Sequence, residues 1–138
     1  MAVRTPTVTP VIGANDLDGY QVIWAGLLNG DTGAPVGSTI GWQAATAISA
    51  VGGAIMSGYA DKTVQVFGTF GAAGVMAFEG SNDGTNFLPL NDAFNNVLNL
   101  TFPVIKEITE VAIQTRPHVT TGDGTTSLTV VVFYRKTR

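Results

Sequence analysis

KTVQVFGTFGAAGVMAFEGSNDGTNFLPLND, residues 62–92, decides the fold class. It reads strand, Gly-rich turn, strand, Asp-Gly turn, strand. Val64, Val66, Gly68 and Phe70 share one face of the first strand, and Thr63, Gln65, Phe67 and Thr69 share the other. That period of two is what a pleated strand requires. Gly71-Ala72-Ala73-Gly74 turns the chain, and Val75 to Glu79 returns. Asp83-Gly84 favours the positive φ angles of primed hairpin turns. Phe87 to Leu90 follows as a short strand, with Pro89 marking a sheet edge. No acid–base pair, nucleophile or metal-ligand motif interrupts the block.

The same grammar extends outward. Gly19 to Leu28 places Tyr20, Val22, Trp24 and Gly26 on one face and Gln21, Ile23, Ala25 and Leu27 on the other. Asn29 to Gly33 is a dense turn signal, closed by Pro35. Val97 to Leu100 reads as a short strand, and Pro103 argues against a helix there. Val104 to Gln114 is ambiguous, since Ile105, Ile108 and Ala112 fit a helical period; the reading is a short turn near 106–108, then a strand from Thr109 to Val119. After the turn at 121–125, Ser127 to Arg135 aligns Leu128, Val130, Val132 and Tyr134. Val131 and Phe133 make its opposite face apolar too, so cover on both sides is expected. About seven or eight short strands separated by turns predict an all-β, single-domain β-sandwich over residues 19–138, jelly-roll or immunoglobulin-like.

Two segments stand outside that pattern. Residues 1–18 are Thr/Pro-rich and predict an extended N-terminal arm, either a loose terminus or an arm laid over a neighbouring subunit. They lack the apolar core of a signal peptide, so secretory export is not expected. The second segment is a Gly/Ala-rich insert at about 37–58, inside an uncharged run from Thr32 to Ala60. A membrane helix needs about 20 mainly apolar residues. Gly41, Gln43, Thr46, Ser49, Gly52, Gly53 and Ser57 dilute this one, and flanking Lys or Arg anchors are missing. The insert therefore predicts no membrane span but a loop or short helix (43–51) packed on the sandwich or on a neighbour. Trp42, Ile48, Val51, Ile55 and Met56 are its interface candidates.

Composition narrows the functional classes. The chain of 138 residues suits one domain, long enough to need no covalent staple. It has no cysteine, which excludes disulfides, thiolate metal sites and Cys nucleophiles. Charged residues are 12%, against about 25% in typical domains, so part of the surface is expected to be covered by other subunits. A net charge of −3 argues against a nucleic-acid partner, and the basic cluster Arg135, Lys136, Arg138 reads as a solvated tail.

Candidate sites are weak by motif. His118 is the only histidine, and nothing near it in sequence supplies a positioning carboxylate and a nucleophile. Glu107 and Glu110 fit a solvated face better than a glycosidase pair. Gly68 to Gly74 precedes no helix and no Gly-Lys-Ser, so it is not a phosphate loop. Asn82, Asp83, Asn86, Asn91 and Asp92 offer oxygens suited to calcium, but without EF-hand spacing they read as turn chemistry. No cofactor or metal is expected. Tyr20, Trp24 and Trp42 could stack on sugars, although aromatics on sandwich strands commonly belong to the core.

Four pieces, NGDTGAPV (29–36), YADKTVQVFGTFG (59–71), FEGSNDGTNF with LND (78–87, 90–92) and RPHVTTGDGTTSLTVVVFYRK (116–136), occur in order over roughly half the chain. On them the chain resembles a family of small structural proteins of tailed bacteriophages and prophages. The resemblance implies a capsid decoration (cement) protein. Such a protein is made in the host cytoplasm, is built as a β-sandwich, and binds the major capsid protein on the outside of the virion, often as a homotrimer. The stretch Gly37 to Gly58 departs from the family pattern, which crosses it with fewer residues. Expected contact regions are the 1–18 arm, the insert and the turns carrying Asp83 and Asp123. Two other readings stay open. One is a carbohydrate-binding adhesion module, since EGSNDGTNF-like turns also occur in discoidin-type sandwiches. The other is a tail or head–tail protein.

Overall fold

The computed structural model describes residues 2–12, 17–37 and 61–135. Those residues form β1 (Val3–Arg4), β2 (Thr7–Ile12), β3 (Leu17–Leu27), β4 (Thr32–Gly33), β5 (Val36–Gly37), β6 (Asp61–Thr69), β7 (Val75–Ser81), β8 (Leu88–Pro89), β9 (Asn99–Leu100), β10 (Val104–Ile108), β11 (Gln114–Thr121) and β12 (Ser127–Arg135), with no helix among them. One sheet runs β1-β4-β11-β7-β8, with β5 beside β11 and β9 beside β7; the other runs β10-β6-β12-β3-β2. The two pack face to face as a β-sandwich.

Three segments, β3–β4, β6–β7 and β11–β12, each cross from one sheet to the other. They lie side by side in the same order in both, with β11–β12 in the middle. The Gly71–Gly74 turn is therefore not a hairpin. It is a corner that carries the chain from β6 in one sheet to β7 in the other. Gly71 has φ +71°, and a Cβ there would stand 2.2 Å from Asp123 Oδ1, so glycine is required by both backbone and space.

Alternation fills the core as the sequence predicts on β6 and β12. Val64, Val66, Leu128, Val130, Val132 and Tyr134 are all buried. On β3, Val22 and Trp24 point inward, but the pattern then breaks. Gly26 has φ +68°, and the register against β12 shifts between Leu128 and Val130. This bulge turns Leu27, expected on the opposite face, into the core. From the other sheet come Met76, Phe78, Val119 and Val36. Trp24 meets Phe78 edge-on at 6.5 Å between ring centres and donates its indole N–H to Ala34 O at 3.1 Å. The Tyr134 hydroxyl shares a short hydrogen bond with Thr115 Oγ1, linking the two central strands across the core.

Other expectations shift. The turn expected near 106–108 is the end of strand β10, paired along β6 from Val104–Val66 to Ile108–Lys62. Its in–out pattern has period two, with Ile108 buried and Ile105 and Glu107 exposed. The loop falls at 109–113 instead. The Asp83-Gly84 turn is a wide connection between β7 and β8, with positive φ at Gly84 but not at Asp83, so the primed two-residue form is absent. Val131 and Phe133 are half-buried, screened by Gln21, Thr63 and Gln65 of the flanking strands of their own sheet.

The segment expected as an arm contributes a strand to each sheet. β1 pairs in parallel with β4, β2 pairs antiparallel with β3, and Pro6 between them is buried. Asp31 holds this start in place, because its carboxylate accepts from Ala2 N (2.9 Å), Arg4 Nε (2.8 Å) and Leu28 N (2.9 Å). Burial raises its pKa, yet the N–H groups of Leu28, Arg4 and Ala2 outweigh that and leave it lowered. Asp31→Asn should cost about 1–3 kcal/mol. The amides of Thr32 and Ala34, which donate to Ala2 O and Arg4 O, should exchange hydrogen faster than those of β12.

Gly33 lies under the Trp24 ring; an added Cβ would stand 2.5 Å from the indole Cδ1 and 2.6 Å from Pro117 Cδ. Both neighbours are rigid. Gly33→Ala should lower stability by about 1–3 kcal/mol in denaturant titration, with an unchanged m-value.

Candidate interaction surface

Large apolar side chains that remain exposed are unevenly placed. Of ten among the described residues, Leu88, Phe94, Val97, Phe102, Ile105 and Val111 fall within residues 88–111. That stretch joins the β8/β9 edge of one sheet to the β10 edge of the other. Thr109 N donates to Asn91 O at 3.0 Å, Asn91 N to Glu110 Oε1 at 2.7 Å, and Lys106 Nζ stands 3.7 Å from Asp92 Oδ2. These ties hold the two edges together as one side of the sandwich. Phe94 is 85% exposed, although Asp92 fixes its loop by accepting from Phe94 N and Asn96 N at 2.9 Å each. Leu88 and Val111 line a groove with Asn82, Asn86 and Ala112. The edge thus presents apolar side chains on restrained backbone, with Ile105 turned instead to the outer face of its sheet beside Val131 and Phe133.

The two turns expected as contacts lie at opposite ends. Asp83 follows the end of β7, near the start of β11, where Asn82 Oδ1 accepts from Ile113 N at 3.0 Å. Asp123 sits at the corner end, next to Ala72. The length of the β7–β11 ladder separates them. Asp83 is exposed, but its carboxylate already accepts from Asn86 N, Asn86 Nδ2, Thr85 N and Ser81 Oγ. The Asn86 amides contribute most to holding its pKa far below the usual carboxylate range. Asp123 accepts from Thr125 Oγ1 (2.7 Å), Ala72 N (2.7 Å) and Thr125 N (2.8 Å), which hold it down at about 2. It ties the β11–β12 corner to the β6–β7 corner, and Thr126 Oγ1, donating to Phe70 O at 2.8 Å, adds a second tie. Trp42, Ile48, Val51, Ile55 and Met56 lie outside the described residues, as does the 43–51 segment.

Other sequence candidates take definite places. Trp24 is fully buried and unavailable for stacking on a sugar, and Tyr20 is partly buried against the core. The oxygens of Asp83 and Asp92 that could serve calcium accept local N–H groups. Among the described residues no group of three or more His, Asp or Glu is placed to hold a metal. Glu110 serves Asn91, while Glu107 is exposed. Lys62 is buried and donates to Glu110 O at 2.7 Å, and burial lowers its pKa despite Glu110 and Asp61.

His118 does have a carboxylate partner, which local sequence did not reveal. Glu79 of β7 lies 3.1 Å from His118 Nδ1 and 3.1 Å from Arg116 Nε. The readable signal was Arg116 and His118 two apart on one strand, sharing a face; Glu79 is 37 residues from Arg116, and the β7–β11 register alone brings them together. Comparison of the chain with protein-family models, curated proteins and solved structures found no match.

A pH dependence follows from the depressed carboxylates. A folded-state pKa below the unfolded value contributes stability that is complete above the unfolded pKa and lost as pH falls through the folded one. For Asp123 that window runs from 3.8 down to about 2. The melting temperature should fall across it, and the slope should be shallower in Asp123→Asn. An identical slope in the variant would remove Asp123 from the corner's stability.

Proposed function

We propose that this chain is a structural virion protein that seats on the outside of an assembled phage capsid and stabilises it, as a homotrimer bound to the major capsid protein. The observation that carries the reading is the restrained apolar side at 88–111 on a chain with few charges. An exposed apolar surface of this kind marks an interaction site. The resemblance of the four sequence pieces to phage decoration proteins supplies the partner, and the β-sandwich accords with it. Attachment across several capsid subunits at once adds weak contacts into a strong one, and a shell cross-linked in this way resists internal pressure.

The test is co-sedimentation with capsids of the encoding phage, paired with mass measurement of the free protein. Saturable binding and a trimeric mass are expected. Burying one large apolar side chain is worth about 1.5–3 kcal/mol. Phe94→Asp or Val111→Asp should therefore weaken binding roughly tenfold or more while leaving the melting temperature unchanged. A strictly monomeric protein indifferent to capsids would sink the proposal, and saturable binding to host glycan instead would replace it with the adhesion reading.

A further inference from the structure

The outer face of the β4-β11-β7 sheet carries a cluster that the apolar side does not use. Thr115, Pro117 and Val119 of β11 point into the core, so Arg116 and His118 project outward. Opposite them, Glu79 lies beneath both, with its side chain only 9% exposed. One carboxylate oxygen accepts from Arg116 Nε and the other meets His118 Nδ1, each at 3.1 Å. The guanidinium also rests over the Phe87 ring, 4.0 Å from its centre. Two basic side chains are thereby fixed by one buried acid and one aromatic ring.

The atoms left over matter most. An ionised carboxylate only accepts, so the hydrogen lies on Nδ1, and Nε2 becomes a donor only when the ring is protonated. Among the described residues, neither the terminal amino groups of Arg116 nor Nε2 of His118 has a hydrogen-bond partner. We propose that Arg116 and His118 form a binding site for a carboxylate, and that binding is coupled to protonation of His118. Arg116 offers its planar fork, which matches a carboxylate. Glu79 already balances the guanidinium, so the cluster is neutral with a neutral ring and gains one positive charge with a protonated one. A carboxylate monoanion complements that single charge. The groups around the ring are accounted for. Glu79 and Ala77 face it from β7, Arg116 shares its strand, Thr32 stands opposite on β4, and Asp31 before Thr32 is engaged by Arg4.

The inference does not depend on the capsid reading, because it can be tested on the isolated protein. His118 is the only histidine, so its imidazole proton signals report the site without assignment ambiguity. Sodium acetate, sodium phosphate and sodium chloride are titrated at matched ionic strength near pH 6, and acetate again near pH 8. The expected result is a saturable shift with acetate in the roughly millimolar range, at least several-fold weaker near pH 8, and absent in Arg116→Gln. Arg116→Lys, which keeps the charge without the fork, should recover only part of it. Equal responses to acetate and chloride would reduce the effect to screening and overturn the site. Tighter binding of phosphate would overturn the carboxylate assignment, and an acetate affinity independent of pH would overturn the role of His118.

Discussion

The indole of Trp24 is the constraint on which the sandwich depends. It leaves β3, crosses the interior and contacts the opposite sheet at three points: the edge of Phe78, the bare backbone of Gly33 and the carbonyl of Ala34. Those contacts set the separation of the sheets where β3 passes over to β4. Close-packed interiors transmit such a constraint, because no slack exists to absorb it. The flanking valines and leucines can then sit in one register only. The Gly26 bulge follows from the same demand: past Trp24 the strand must bend toward its corner, and the bulge keeps Leu27 inside as it does so. Tyr134 and Thr115 add a polar link at the middle of both sheets, where the phenol's pKa is raised by burial.

Local pattern was enough to read most strands and the fold class, because alternation is a property of neighbours in sequence. β6, β12 and the first half of β3 were legible residue by residue. What failed depends on distant pairing. Nothing within Gly71–Gly74 says whether the strands on either side of it share a sheet. β10 was obscured because Ile105, Ile108 and Ala112 also fit a helical period, and only the five-residue ladder with β6 decides between them. Residues 3–12 looked like an arm because Thr and Pro dominate, but Asp31 ties Ala2 and Arg4 beside β4 in one sheet, and the ladder with β3 places β2 in the other. Of the surface, the Asp83 and Asp123 turns were visible as motifs. The 88–111 side was not, since Phe94 and Val111 lie in irregular chain and Leu88 in a two-residue strand, too short for a period to mark a face.

Where the acids point changes the meaning of the low charge content. Asp31, Glu79, Asp83, Asp92, Glu110 and Asp123 each accept hydrogen bonds from their own chain, and Asp61 pairs with Arg135. These carboxylates organise loops, corners and strand ends before they solvate the surface. The exposed face is consequently poorer in free charge than composition alone implies, and a surface of this kind associates more readily than a charged one.

Surface association of this kind needs rigidity as well as apolarity, because ordering a mobile loop on binding opposes affinity. Here the two properties coincide. Asp92 pins the loop that presents Phe94, Asp83 and Ser81 pin the loop beside Leu88, and Glu110 pins Asn91. Each pin joins a carboxylate or hydroxyl to backbone N–H groups, so the loops are already set before a partner arrives. The apolar tips can therefore contribute their burial to a contact with little of it offset by lost chain freedom. On this argument the same few acids that leave the surface poor in charge also make its apolar side fit for docking.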